Sequence, residues 1–185
     1  MIPVLETERL IMREGRESDL DAFAEFYADE ELSKFVGGPL NRDDTWRRIA
    51  LGLGHWHLRG FGNWSLEEKA TGDFVGWCGL WNPEGFPERE VGWGLTKRKH
   101  GRGFATEAAL KARDYAYRTL GWETAISLIA FGNDRSVRVA ERLGAAFESV
   151  TQFRGLRCAI YRHPPGRSFR SSTSLVHPKE EIACP

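Results

Sequence analysis

The residues best placed to do chemistry lie in one stretch, Glu90-Val91-Gly92-Trp93-Gly94-Leu95-Thr96-Lys97-Arg98-Lys99-His100-Gly101-Arg102-Gly103-Phe104-Ala105-Thr106-Glu107. It reads as a strand, a basic loop with two glycines, and the start of a helix. A helix N-terminus presents amides that have no intrahelical partner, together with a partial positive charge. Glycines at 101 and 103 let the backbone curl until several amides face one anion, and Lys97, Arg98, Lys99 and Arg102 add positive charge. The chemistry implied is a cradle for phosphate. A mononucleotide loop, Gly-x-x-x-x-Gly-Lys-Ser/Thr, is absent. A dinucleotide fingerprint needs a third glycine where Thr106 stands, and it belongs after a first strand rather than a late one.

The elements that must position this stretch follow from pattern. Residues 9–13 alternate as an opening strand. Ser18 with the acids behind it signals a helix start, continuing through Tyr27. Gly37-Gly38-Pro39 breaks the chain, and residues 41–57 carry apolar side chains at spacings of three and four, as an amphipathic helix does. Strands are expected at 64–67, 74–81 and 88–95, then a helix at 104–120 whose Ala105, Ala108, Ala109, Ala112 and Ala116 permit close packing on a sheet. Another strand is expected at 124–131, a short helix from Asn133 to the terminating Gly144, and a hairpin of 147–153 with 156–161 around Gly155. The class is α/β or α+β around one sheet. Residues 1–164 read as a single domain, and 165–185 as a tail with little order.

The bulk properties set limits on partners. Lys plus Arg and Asp plus Glu each total 26, for a net charge of zero. No long-range field gathers nucleic acid or anionic membrane, so neither is expected as a partner. Cys78, Cys158 and Cys184 show neither metal-ligand spacing nor a disulfide framework, which suits a reducing cytoplasm. Residues 1–14 lack the apolar centre of a signal peptide, and no apolar run approaches the ~18–20 residues of a membrane span. His55 and His57 lie two apart on different faces of a helix, a poor metal pair, so no metal is expected. The 7 tryptophans read as core and cleft walls, with Trp46, Trp56 and Trp64 expected at the cleft.

The loop resembles the pyrophosphate loop of the GNAT superfamily of N-acetyltransferases, Arg/Gln-x-x-Gly-x-Gly/Ala. Two registers fit: Arg98-x-x-Gly101-x-Gly103 literally, and His100-x-x-Gly103-x-Ala105 by distance from the strand, with His100 replacing Arg or Gln. The second is preferred. Asn133-Asp134-Arg135-Ser136, running on to Leu143-Gly144, resembles the family's Asn-x-x-Ser/Ala…Leu-Gly-Phe element, with Ala145 at the aromatic position. Residues 9–13 and Tyr161-Arg162-His163-Pro164 resemble the branch of ribosomal-protein N-terminal acetyltransferases. The resemblance implies a mixed, mostly antiparallel sheet of about seven strands, flanked by helices and splayed at the cofactor site. It implies acetyl-CoA as cosubstrate and a primary amine as acceptor, either a protein N-terminus or a small amine. Backbone groups of Trp93, Gly94 and Leu95 are then expected on the pantetheine arm and acetyl oxygen. Amides of His100, Gly101, Arg102, Gly103, Phe104, Ala105 and Thr106 are expected on the pyrophosphate, with Asn133 and Ser136 near the pantetheine. Asn133 reads equally as a plain helix cap. Glu90 is the expected base. The family's tyrosine proton donor is replaced by Ala140, leaving water or Ser136. A non-catalytic acyl-CoA-binding domain is the alternative, and the resemblance also allows a homodimer.

Overall fold

The computed structural model describes residues 1–166. In chain order the elements are β1 (Leu5–Glu6), β2 (Leu10–Arg13), α1 (Leu20–Ala28), α2 (Glu30–Ser33), α3 (Arg42–Arg59), β3 (Asn63–Glu68), β4 (Phe74–Trp81), β5 (Glu90–Leu95), α4 (Phe104–Arg118), β6 (Ile126–Ala130), α5 (Asp134–Arg142), β7 (Ala146–Phe153) and β8 (Leu156–Arg162). The strands form one eight-stranded sheet, ordered β1-β2-β3-β4-β5-β6-β8-β7. Every neighbouring pair is antiparallel except β5 with β6. The eighth strand, beyond the seven expected, is the two-residue β1, too short to leave a periodic signal.

Helices cover both faces. Ala108, Ala109, Ala112 and Ala116 of α4 have no solvent exposure, and they share a core with Val75, Cys78 and Leu80 of β4 and Val91 of β5. Methyl side chains let the helix approach the strands closely, so this layer is tight. On the other face Phe23, Phe26 and Tyr27 of α1 pack with Ile49 of α3 and with Phe74 and Trp77 of β4. The register between β3 and β4 slips at Leu66/Glu67. Val75 is the extra residue of this bulge, and the slip brings Phe74 and Trp77 to the same face.

Local signals explain most boundaries. Asn41 Oδ1 accepts from Asp44 N at 2.8 Å to start α3, and Gly60, at φ +75°, ends it. The hairpin β7–β8 turns at Arg154 and Gly155, at φ +50° and +81°, the two left-handed residues of a tight two-residue loop. Ser18, expected to cap the first helix, does not do so. Asp19 occupies that corner, accepting from Arg16 N and forming a two-point pair with Arg13 at 2.8 Å, because a buried arginine needs a carboxylate nearby. The tail expected from 165 lies, from residue 167 onward, outside the described residues. Gly166 still donates to Glu123 O at 2.8 Å. Among the described residues no helix is long and apolar enough to cross a membrane, and no cluster of side chains could hold a metal ion.

Candidate active site

The sheet opens between β5 and β6. The two strands are paired at one position, Glu90 with Ile126, and diverge beyond it. Divergence strips backbone groups on the facing edges of their ladder partners, and side chains replace them. Ser127 Oγ donates to Val91 O at 2.7 Å, and Leu128 N donates to Glu90 Oε1 at 3.0 Å. Behind Ser127, His163 Nε2 lies 3.0 Å from its Oγ, and Arg113 Nη1 lies 3.3 Å from His163 Nδ1. A guanidinium only donates, so Nδ1 accepts and Nε2–H donates to Ser127, whose own proton goes to Val91. All three side chains are buried. Burial, with the charges of Arg113 and Arg162, pushes the His163 imidazole down to about 3, so it is neutral. This relay fixes the fork at which the strands separate.

The fork opens into a cleft of about 160 Å³. Glu90 and Trp93 line it from β5, Ser127 to Ala130 from β6, Asn133 and Ser136 from α5, Trp77 and Trp81 from β4, and Arg48 from α3. Glu90, Gly92 and Gly94 share one face of β5. A Cβ at Gly94 would come 2.6 Å from Trp77 Nε1, and one at Gly92 would come 3.4 Å from Glu90 Oε2. Glycine at both positions therefore keeps the strand bare beside the carboxylate. The Glu90 carboxyl is pushed up to about 7 by burial, against the opposing pull of the Leu128 amide and the Arg48 charge. A group poised there exchanges protons readily at neutral pH.

From its C-terminal end β5 runs through a single 3-10 turn, Lys97–Lys99, into the loop and α4. Gly101 and Gly103 take φ +73° and +82°, and Gly103, at the cap position before α4, supplies no side-chain cap. By contrast α2, α3 and α5 are capped by Asp29, Asn41 and Asn133. The first-turn amides of α4 are thus left for an anion, and the glycine cradle suits a pyrophosphate. Phe104 is fully buried, with Arg9 and Arg102 over its ring, so only its amide is available. The basic run is largely neutralised: Lys99 and Arg102 pair with Glu68, Arg98 with Glu25, and Lys97 with Asp29. The cradle is therefore backbone rather than side-chain charge. His100 is tied back, with Nε2 2.9 Å from Leu95 O and Nδ1 3.3 Å from Arg135 Nη1.

Glu90, Trp93, Asn133 and Ser136 come together in the cleft, while Gly94, Leu95 and residues 100–106 continue along β5 into the cradle. Asn133 does cap α5, its Oδ1 accepting from Ser136 N at 3.3 Å, and it lines the cleft as well. Ala140 is wholly buried against Ile129 and Ala145. Its position thus offers no hydroxyl to the cleft. The tryptophans expected as cleft walls are elsewhere. Trp46 is exposed, and Trp56 and Trp64 pack edge-to-face in the core with their indole N–H groups on Asn63 O and Pro3 O. Trp77 and Trp81 are the wall instead, and the alternation Trp77-x-Gly79-x-Trp81 carried that signal. His55 stacks on Trp81 at 4.2 Å and bonds Phe61 O and Asn82 N, a structural role. Ser127, His163, Arg48 and Arg135 left no local signal, because their partners lie tens of residues away in sequence.

A forked sheet whose fork leads into an uncapped helix N-terminus is the architecture of an acyl-CoA-dependent transferase. Residues 9–146 match the family model of the GNAT acetyltransferase domain, and the chain belongs to that family. An acetyltransferase from Agrobacterium tumefaciens is 35% identical, over 88% of this chain and 95% of that one, with a TM-score of 0.80. The uncharacterized N-acetyltransferase YoaA of Bacillus subtilis is 25% identical, over 97% of this chain and 100% of its own. RimL, a ribosomal L7/L12 α-N-protein acetyltransferase solved with coenzyme A, shares the fold at a TM-score of 0.73 and 14% identity, over 88% of this chain and 98% of that one. The protein is thus an acetyltransferase of the kind that uses acetyl-CoA.

Proposed function

We propose that the chain moves an acetyl group onto a primary amine by direct attack in a ternary complex, with Glu90 as the base. The observation that carries this reading is a carboxyl pushed up to about 7, on a bare strand, at the fork of the sheet. Acetyl-CoA supplies the thioester carbonyl that the amine attacks. The amides of His100 to Thr106 hold the pyrophosphate, and the helix dipole of α4 adds to their attraction. Asn133, Ser136 and the open edges of Trp93 to Leu95 flank the pantetheine arm. Arg135, reaching back to the His100 ring, is placed to hold that loop against α5.

An ammonium bound beside Glu90 gives its proton to the carboxylate and becomes the nucleophile; a positioned base contributes typically ~10²–10⁴-fold. The departing thiolate needs little help, since a free thiol has a pKa of about 8.5. Water or the Ser136 hydroxyl then suffices as proton source where Ala140 stands. The buried Ala140 is the observation that favours a second reading, a domain that binds acyl-CoA without turning it over.

Thiol release from acetyl-CoA, measured against amino acids, N-terminal peptides, polyamines and aminoglycosides, separates the two. Acceptor-dependent release supports transfer. Thermal stabilisation by acetyl-CoA with no release for any acceptor supports binding alone.

A further inference from the structure

The acceptor half of the cleft carries a charge that the transfer reaction does not use. Arg48 projects from α3 into the cleft, half-buried, with its guanidinium 5.8 Å from the centre of the Trp81 ring. Among the described residues no carboxylate lies within ion-pair distance of it, and no hydrogen bond is made by it. It is close enough to Glu90 to pull that carboxyl's pKa down, yet the two do not pair. Arg154, at the hairpin turn, lines the same cleft with its guanidinium over Phe153. Against these two cations the lining holds one acid, Glu90, which is about half protonated near pH 7.

The walls around Arg48 are apolar and aromatic: Phe35 and Val36 from the segment after α2, with Trp77 and Trp81 from β4. Phe86, from the β4–β5 connection, meets Phe153 of the hairpin edge-to-face at 4.9 Å. Those two segments belong to opposite sides of the fork, and both rings line the cleft, so aromatic side chains from both half-sheets wall it. A polycationic amine would meet two unpaired arginines there. A half-buried guanidinium instead favours an anion, and its planar fork matches a carboxylate.

We infer that the acceptor is a small primary amine bearing a carboxylate and an apolar body, as an apolar α-amino acid does, with Arg48 binding the carboxylate while the amine faces Glu90. The inference deepens the transferase reading and rests on it for the role of Glu90. Aromatic side chains at Trp77 and Trp81 take the apolar body, and the guanidinium sets the orientation that turns the nitrogen toward the base.

The test uses matched acceptors that differ only at the carboxyl group. Thiol release from acetyl-CoA is measured with L-phenylalanine, L-tryptophan and L-leucine, each against its amide and its decarboxylated amine. The amide's amino group is less basic than the acid's, and that of the decarboxylated amine is more basic, so a preference for the acid over both comes from the carboxylate itself. The expected kcat/KM is at least ~10-fold higher for the acids, the scale of one charge-assisted pair. In Arg48→Gln the acid-to-amide ratio, taken within each protein so that any change at Glu90 cancels, falls to within a few-fold through a raised KM for the acids. Equal or better turnover of amides or peptides by the wild type overturns the inference and leaves the transferase reading standing. A second arm titrates N-acetyl-L-phenylalanine and its amide into the coenzyme A complex, followed by tryptophan fluorescence. Binding of the acid that is lost in Arg48→Gln, with no turnover of any amine, upholds the recognition site and overturns catalysis. No binding and no turnover overturns both.

Discussion

A carboxylate is a useful base at neutral pH only when its surroundings make the charged form costly without abolishing it. Glu90 meets that condition through opposing effects, burial raising its pKa and the Leu128 amide and Arg48 charge lowering it, to about 7. The profile of kcat/KM, which reports the free enzyme, should therefore carry an acid-side limb centred near pH 7. Glu90→Gln keeps an acceptor for the Leu128 amide, so the fork should stay intact while kcat drops by ~10²–10⁴-fold and the limb disappears. A pH–rate profile of both proteins reads this directly. The same limb persisting in the variant would assign it to another group and remove Glu90 from the chemistry. In the sequence Glu90 was singled out only by the family resemblance. That Glu90-x-Gly92-x-Gly94 sets a carboxylate beside two bare positions on one strand face is what the fold adds. The relay behind it was not legible, because Arg113, Ser127 and His163 meet only after three elements have packed.

At the scale of elements, α4 is where sequence and structure agree most closely and where the remaining charge reading changes. Its alanines predicted close packing on the sheet, and Ala108, Ala109, Ala112 and Ala116 are buried while Ala105, in the first turn, is partly so. The basic residues before it suggested side-chain charge for a phosphate, yet Glu68, Glu25 and Asp29 from distant elements absorb that charge. No local window contains those partners, so periodicity could not reveal them. What remains is an uncapped helix start, and that makes a sharp prediction. Thr106→Asp adds an anion to the first turn of α4, which should leave the apo protein as stable or raise stability by ~0.3–1 kcal/mol. The same charge should repel the pyrophosphate and weaken acetyl-CoA binding at least tenfold in calorimetric titration. Leu110→Asp, on the exposed side of the same helix, provides the control and should bind as the wild type does. Equal weakening in both would mean the effect is helix-wide, and equal affinity in all three would place the pyrophosphate elsewhere.

At the scale of the whole molecule, the sheet is two half-sheets, β1–β5 and β6–β8–β7, joined edge to edge at Glu90 and Ile126 and by the side chains around that point. The helices and most strands followed from periodicity and caps. The crossing of the two halves did not, since a single paired position has no periodic signature. That joint holds two titrating groups with opposite effects on stability. Glu90 has a folded pKa of about 7, above its ordinary value of 4.5, so its contribution is full below 4.5 and is lost as pH rises toward 7. His163 has a folded pKa of about 3, below its ordinary 6.5, so its contribution is full above 6.5 and is lost as pH falls toward 3. Between about pH 4.5 and 6.5 the unfolded chain protonates the histidine and ionises the glutamate, and the folded chain does neither. The two slopes, each at most ~1.4 kcal/mol per pH unit, then cancel. His55, whose pKa burial also lowers, adds a loss with acidification that wild type and variants share. Each variant's stability in urea is therefore read as its difference from the wild type between about pH 5 and 6.5. Relative to the wild type, Glu90→Gln should lose stability with acidification across that range, because the glutamate slope no longer offsets that of His163. Relative to the wild type, His163→Gln should lose stability with rising pH, because the glutamate slope is no longer offset, whatever its overall midpoint. Parallel curves for all three proteins would show that neither group is buried at the joint as described. Divergence in the stated directions would show the same joint working in both respects: the neutral imidazole holds the fork in shape, and the carboxyl beside it is kept ready to take a proton.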